Sequence, residues 1–169
     1  ELVSLQELYN KKGFQMAVLF GRRRVGKTTL INKFIEINKC KSVSFVSTEM
    51  TESELLERMG NDVLESLAPS LSGKLKFDSF DSVFDFIAEE SSKERIIFVI
   101  DEYPYLAKSC PYMNSLLQKY IDGKWNKSNL YFILLGSLVS FMKEEVLGTL
   151  APLHGRANRE FKINPFDYK

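Results

Sequence analysis

The sequence predicts an α/β fold: a mainly parallel sheet of five strands with helices on both faces, a three-layer sandwich. Three observations carry this. Strand-like and helix-like segments alternate along the 169 residues. Two of the strand-like segments, Ile96–Ile100 and Leu130–Leu135, are continuous apolar runs, as expected of strands covered on both faces. Gly21-Arg22-Arg23-Arg24-Val25-Gly26-Lys27-Thr28-Thr29 fits the phosphate-loop pattern GxxxxGK[ST] between a strand and a helix, the context that a P-loop NTPase requires.

The elements follow in order. Leu2, Leu5, Leu8 and Tyr9 give a short amphipathic helix that Lys11-Lys12-Gly13 ends. An apolar first strand runs from Phe14 to Phe20. After the glycine loop, Leu30, Ile31, Phe34 and Ile35 recur at helical spacing to about Asn38. Ser42–Val46 is rich in strand-favouring residues. Thr51-Glu52-Ser53-Glu54 has the form of a capping box, and Leu55, Leu56, Met59, Val63 and Leu67 make one helical face that stops before Pro69. Ser70–Asp78 reads as a polar loop. Phe80, Val83, Phe84 and Ile87 form a further helix face, whose aromatic stripe reads as core. The strand at Ile96 delivers Asp101-Glu102, and Met113, Leu116, Leu117, Tyr120 and Ile121 mark a helix closed near Gly123. The strand at Leu130 delivers Gly136-Ser137. A helix is expected from about Val139 to Leu147, then a last strand over Arg159–Ile163.

The phosphate loop carries most of the chemistry. Its glycines permit backbone angles that a β-carbon resists, so successive N–H groups can wrap a phosphate, and the helix start adds its positive dipole end. Lys27 is expected to bridge the outer phosphates of ATP and Thr28 to hold Mg²⁺. Asp101 follows a buried strand, and ligands of open α/β sheets gather at the carboxyl ends of strands. Asp101 is therefore assigned to the Mg²⁺ shell with Thr28, and Glu102 to orienting or deprotonating the attacking water. Ser137, also at a strand end, is expected to touch the γ-phosphate or that water. Arg156 precedes the last strand, where a guanidinium suits an arginine finger offered in trans to a neighbouring subunit; Arg159 is a weaker candidate. Arg22, Arg23 and Arg24 are read as nucleotide-holding, partner-facing or merely solvated. His154, the only histidine, reads as a loop residue.

Composition removes other classes. Hydrophobic residues at 44% and charged residues at 27% describe an ordinary globular domain, and a net charge of +1 provides no global field for nucleic acid. No apolar run approaches the ~20 residues of a membrane span. Cys40 and Cys110 lack metal-type spacing and are expected as reduced thiols, because phosphate-loop proteins are usually cytoplasmic. Asn126-Lys127-Ser128-Asn129 approaches the guanine motif NKxD but ends in Asn and lies before its strand. The sequence after Asp101 lacks the glycine of a GTPase switch, and Leu71-Ser72-Gly73 is an incomplete transporter signature.

Together, GRRRVGKTTL (21–30), IIFVIDEYPYL (96–106), ILLGSLVSFM (133–142) and APLHGRANREFKINPF (151–166) resemble the prokaryotic, largely archaeal, ATPase family related to AAA+ and STAND ATPases. The resemblance covers nearly the whole chain and implies an AAA-like sheet. Leu138 stands where the family usually has a second serine. The family continues into a helical lid, a winged-helix region and a nuclease-like domain. Residues 1–169 are thus expected to be the ATPase domain alone, a fragment whose DNA contacts lie in domains outside it.

Three functions compete. The first is hydrolysis of MgATP to ADP and phosphate as a conformational switch or motor, with self-association. The second is a non-hydrolysing ATP-dependent switch of assembly. The third is a small-molecule kinase, for which the sequence offers neither a clear substrate pocket nor an arginine lid.

Overall fold

Period-two alternation in the central strands divides their side chains between two cores. The computed structural model describes residues 1–165, so Phe166, the last residue of the fourth stretch quoted above, lies outside it. Strands β1 (Gln15–Phe20), β2 (Lys41–Val46), β3 (Ile96–Asp101), β4 (Leu130–Gly136) and β5 (Arg159–Lys162) form one sheet in the order β2-β3-β4-β1-β5, every pair parallel. On one face Met16, Val18, Ile96, Phe98, Ile100, Phe132 and Leu134 pack under α3 (Glu52–Leu67), α4 (Phe80–Lys93), α5 (Tyr103–Ser109) and α6 (Met113–Asp122). On the other, Ala17, Leu19, Ile97, Val99, Tyr131 and Ile133 meet Leu5 and Leu8 of α1 (Leu2–Asn10) and Ile31 and Phe34 of α2 (Lys27–Asn38). Edge strand β2 buries only Val43 and Phe45, which explains its mixed composition.

The α3 capping box forms as expected: the Thr51 Oγ1 accepts the Glu54 N–H at 3.2 Å, and the Glu54 carboxylate accepts the Thr51 N–H at 2.9 Å. The aromatic stripe of α4 is core: Phe80 and Phe84 are buried on the sheet. Trp125 is fully buried against Phe84 and Phe132, with ring centroids at 5.1 and 5.0 Å, and donates its indole N–H to the Phe84 carbonyl.

Two segments depart from expectation. Residues 103–109 form the short helix α5, with Pro104 in its first turn, where a missing N–H costs nothing. The helix expected over 139–147 is only the short turn α7 (Val139–Phe141), followed by a wide π-helical turn over Met142–Val146. There the Leu147 N–H bonds the Met142 carbonyl at 3.0 Å, while Asn114 donates to the Glu145 carbonyl at 2.9 Å. The chain is held sideways at this point and does not continue as a regular helix.

At the amino edge of the sheet, Arg95 sits immediately before β3. Its guanidinium donates to the carbonyls of Leu8, Tyr9 and Lys11 at the end of α1, and to those of Gly13 and Asn129. The charge lies over the Tyr9 and Tyr131 rings, 5.6 and 5.7 Å from their centroids. The Leu8, Tyr9 and Lys11 carbonyls lie at the end of α1, where backbone acceptors run short of intrahelical donors.

Cys40 and Cys110 are free thiols. Among the described residues, no helix is long and apolar enough to cross a membrane.

Candidate nucleotide site

The candidate site is built where β1, β3 and β4 end. The chain leaves β1 at Gly21 and enters α2 at Lys27. The two glycines of the loop serve different ends, which corrects the reading that both supply backbone freedom. Gly26 is left-handed at φ +95°, as is Arg24 at φ +64°. Gly21 is glycine for space: a Cβ there stands 2.2 Å from the Ile163 carbonyl oxygen, just beyond β5. Val25 is buried and packs into the α2-side core, so it anchors the loop. No side chain caps α2, and its first-turn N–H groups lie at a left-handed entry, a geometry suited to an anion.

Lys27 is 5% exposed, and its Nζ donates to the Gly21 and Arg22 carbonyls at 2.7 and 2.8 Å. Burial pushes its pKa down, and the carboxylates of Glu102 and Asp101 pull it partly back. The ammonium is thus stored against the loop it is expected to leave for a phosphate.

From Thr28 a line of hydrogen bonds crosses the strand ends. The Thr28 hydroxyl donates to Asp101 Oδ2 at 2.7 Å, and the Glu102 N–H donates to Asp101 Oδ1 at 2.8 Å. The Ser137 hydroxyl donates to Glu102 Oε2 at 2.7 Å. Glu102 itself is left-handed, φ +54°, an uncommon state for a residue with a β-carbon. Ser137, expected on the phosphate or the water, is thereby held beside the carboxylate assigned to that water. Thr28 and Asp101 place a hydroxyl and a carboxylate oxygen side by side, a donor pair that suits Mg²⁺. Among the described residues, no group of three or more His, Cys, Asp or Glu side chains could hold a metal, so the remaining ligands would be phosphate and water.

An open cleft of about 600 Å³ lies over these residues. Arg23, Arg24, Gly26, Lys27, Thr28 and Thr29 form its loop side. Arg23 donates to the Tyr105 hydroxyl across it. Arg22 faces elsewhere, toward a smaller cavity beside Lys162 and Ile163.

Arg156 is not at this cleft. It precedes β5, so it lies at the amino edge of the parallel sheet, beside Phe14 and Asn158. It grips Asp122 with two bonds, at 2.9 and 2.8 Å, and also donates to the His154 carbonyl. Arg159 lies at the same edge, 3.5 Å from Glu7. His154 is a loop residue whose Nδ1 lies 3.0 Å from the Leu147 carbonyl oxygen.

Sequence reasoning missed Ser47, Thr48, Glu49 and Tyr105, which line the far side of the cleft. The signal was available for the first three. They form a polar run directly after β2, and in a parallel sheet that strand ends at the same edge as Asp101.

The chain matches, over residues 1–169, the profile of an ATPase domain found predominantly in Archaea. It is 31% identical to an uncharacterised protein of Methanocaldococcus jannaschii over its full length, and spans 35% of that protein. Among solved structures, a Walker-type ATPase of Pyrococcus abyssi is 23% identical at a TM-score of 0.65, with 98% of this chain and 53% of that chain covered. Drosophila ORC bound to DNA is 19% identical at a TM-score of 0.66, with 99% and 42% covered. The two structural likenesses show the α/β P-loop fold.

Proposed function

We propose that this chain, which belongs to the family of ATPase domains found predominantly in Archaea, binds MgATP and hydrolyses it to ADP and phosphate, its cycle serving as a conformational switch or motor. ATP binding is the family's property. Hydrolysis rests on one observation above all, the unbroken line of hydrogen bonds from Thr28 through Asp101 and Glu102 to Ser137 beside a buried lysine.

In this reading the loop N–H groups from Gly21 to Thr29 cradle the phosphates, and Lys27 exchanges two loop carbonyls for phosphate oxygens. Thr28 and Asp101 would hold Mg²⁺, which neutralises charge on the outer phosphates when bound. Glu102 accepts a proton from the attacking water. Ser137 releases Glu102 when the terminal phosphate offers its hydroxyl a better acceptor, so the same residue reports occupancy. Arg156 acts on a neighbouring subunit, after exchanging Asp122 for that subunit's phosphate. The link to DNA, suggested by the DNA-bound relative, runs through domains outside these residues. ATP as substrate and the free thiols point to the cytoplasm.

The Ser137–Glu102 bond also favours a second reading, a switch that binds ATP and keeps Glu102 parked without turnover. Phosphate release by the protein, alone and with DNA, separates the two: magnesium-dependent release supports hydrolysis, and none under either condition leaves the switch.

A further inference from the structure

Ser47 is the first residue after β2, and it is 1% exposed. Among the described residues its hydroxyl finds no hydrogen-bond partner in the protein. A buried hydroxyl left without a partner is destabilising, and such groups usually mark strain or function. Its position is not accidental to the site. Val46 pairs with Asp101 as the last pair of the sheet register, so Ser47 and Glu102 are the residues that follow two adjacent strand ends. The Ser47 N–H donates to the Asp101 carbonyl at 2.9 Å, which fixes Ser47 to the segment that carries both carboxylates. Ser47 and Glu102 line the same cleft as Lys27 and Thr28.

We infer that the Ser47 hydroxyl is a further catalytic group, holding the water that attacks the terminal phosphate jointly with Glu102; this rests on the hydrolytic reading above. The water gives one hydrogen bond to the Glu102 carboxylate and the other to Ser47 Oγ, which turns a lone pair of its oxygen toward phosphorus. As the oxygen–phosphorus bond forms, the bond from that phosphorus to the β-bridging oxygen breaks. The electron pair leaves with ADP, and the water's proton passes to Glu102. Asp101 and Thr28, hydrogen-bonded to each other, are not free for this task, and Ser137 is bound to Glu102 from the other side. Ser47 Oγ is closed to solvent as its side chain stands, and a turn about the Cα–Cβ bond, which breaks no hydrogen bond, brings it to the water.

The test compares the parent with Ser47→Ala in binding MgADP alone and MgADP with aluminium fluoride, whose complex includes the in-line water, and in thermal melting without nucleotide. Expected are equal MgADP affinity, an aluminium fluoride complex about tenfold weaker in Ser47→Ala, and a melting temperature that does not fall, because the hydroxyl has no protein partner to lose. Equal affinity of parent and variant for the aluminium fluoride complex overturns the inference. So does an equal loss for both ligands with a lower melting temperature, the signature of a structural hydroxyl. A parent that binds the aluminium fluoride complex no better than MgADP overturns it as well. If the parent releases no phosphate yet the tenfold effect is present, hydrolysis fails while the water site stands; if the parent turns over and the effect is absent, Ser47 fails alone.

Discussion

Replacing Glu102 by Gln removes the proposed base and leaves nearly everything else in place. The carboxylate oxygen that accepts the Ser137 hydroxyl at 2.7 Å has an amide oxygen as its substitute. A hydrogen bond to a charged group contributes about 1.5–3 kcal/mol and a neutral one about 1 kcal/mol, so the exchange costs about 1 kcal/mol of stability. For a domain of 169 residues that lowers the melting temperature by about 2–4 °C. The left-handed backbone at Glu102 is equally unfavourable for Gln, so it contributes no further change. MgATP affinity is expected to hold, because Lys27, Thr28 and Asp101 keep their partners. Turnover is expected to fall by roughly 100- to 10,000-fold, the usual weight of a general base. Calorimetric titration with MgATP, a thermal melt and phosphate release under saturating ATP report the three quantities separately. Parental turnover in Glu102→Gln refutes the assignment, since no base function then resides at this carboxylate. Loss of binding together with turnover refutes it differently, by making Glu102 part of the phosphate cradle.

Lys27→Ala removes the cation stored on the Gly21 and Arg22 carbonyls, and ATP affinity by calorimetry is expected to drop about 100-fold, for roughly 2–3 kcal/mol of lost charged contact; unchanged affinity removes the phosphate-loop role. Gly21→Ala drives a Cβ to 2.2 Å from the Ile163 carbonyl oxygen, and since backbone must move, a loss of about 1–3 kcal/mol is expected in denaturant unfolding. Gly136→Ala has as its nearest atoms those of the flexible Met142 side chain, the sulfur at 2.4 Å, and is expected to cost less; the reverse order contradicts the packing account. Arg156→Ala breaks a pair whose members are 26% and 50% exposed, so stability falls by less than about 1 kcal/mol. As a finger in trans its loss leaves ATP binding intact and lowers turnover, partly restored by mixing with Glu102→Gln subunits; a parental rate makes Arg156 an ordinary surface residue.

Central strands were the most legible part of the fold. Ile96–Ile100 and Leu130–Leu135 are buried on both faces, so their apolar character is continuous and local. Helix α5 was illegible, because seven residues with a proline in the first turn give too little periodicity to register. The turn at Met142–Val146 depends on Asn114 reaching its carbonyl from a distant helix, which no local pattern records. At the site, the residues from Gly21 to Thr29 and Asp101-Glu102 were legible because their order along the chain is itself the motif. Arg156 was read as a finger for a neighbouring subunit, and as a residue just before a parallel strand it lies at the edge away from this chain's own cleft. Ser47 was within reach as part of the polar run after β2, but its burial and its solitary hydroxyl follow from packing, and the reason for Gly21 lies 142 positions away, at Ile163.

The grip of Arg95 has a mechanical consequence. Three of its carbonyl partners close helix α1, and the next residue in the chain begins β3, which ends in Asp101. A tug on the amino-terminal helix does not enter the sheet through the loop to β1 alone. It is shared at the guanidinium with the strand whose far end is the pair of carboxylates. The end of α1 and the start of β3 are therefore one anchored unit, and β3 carries Asp101 at its other end.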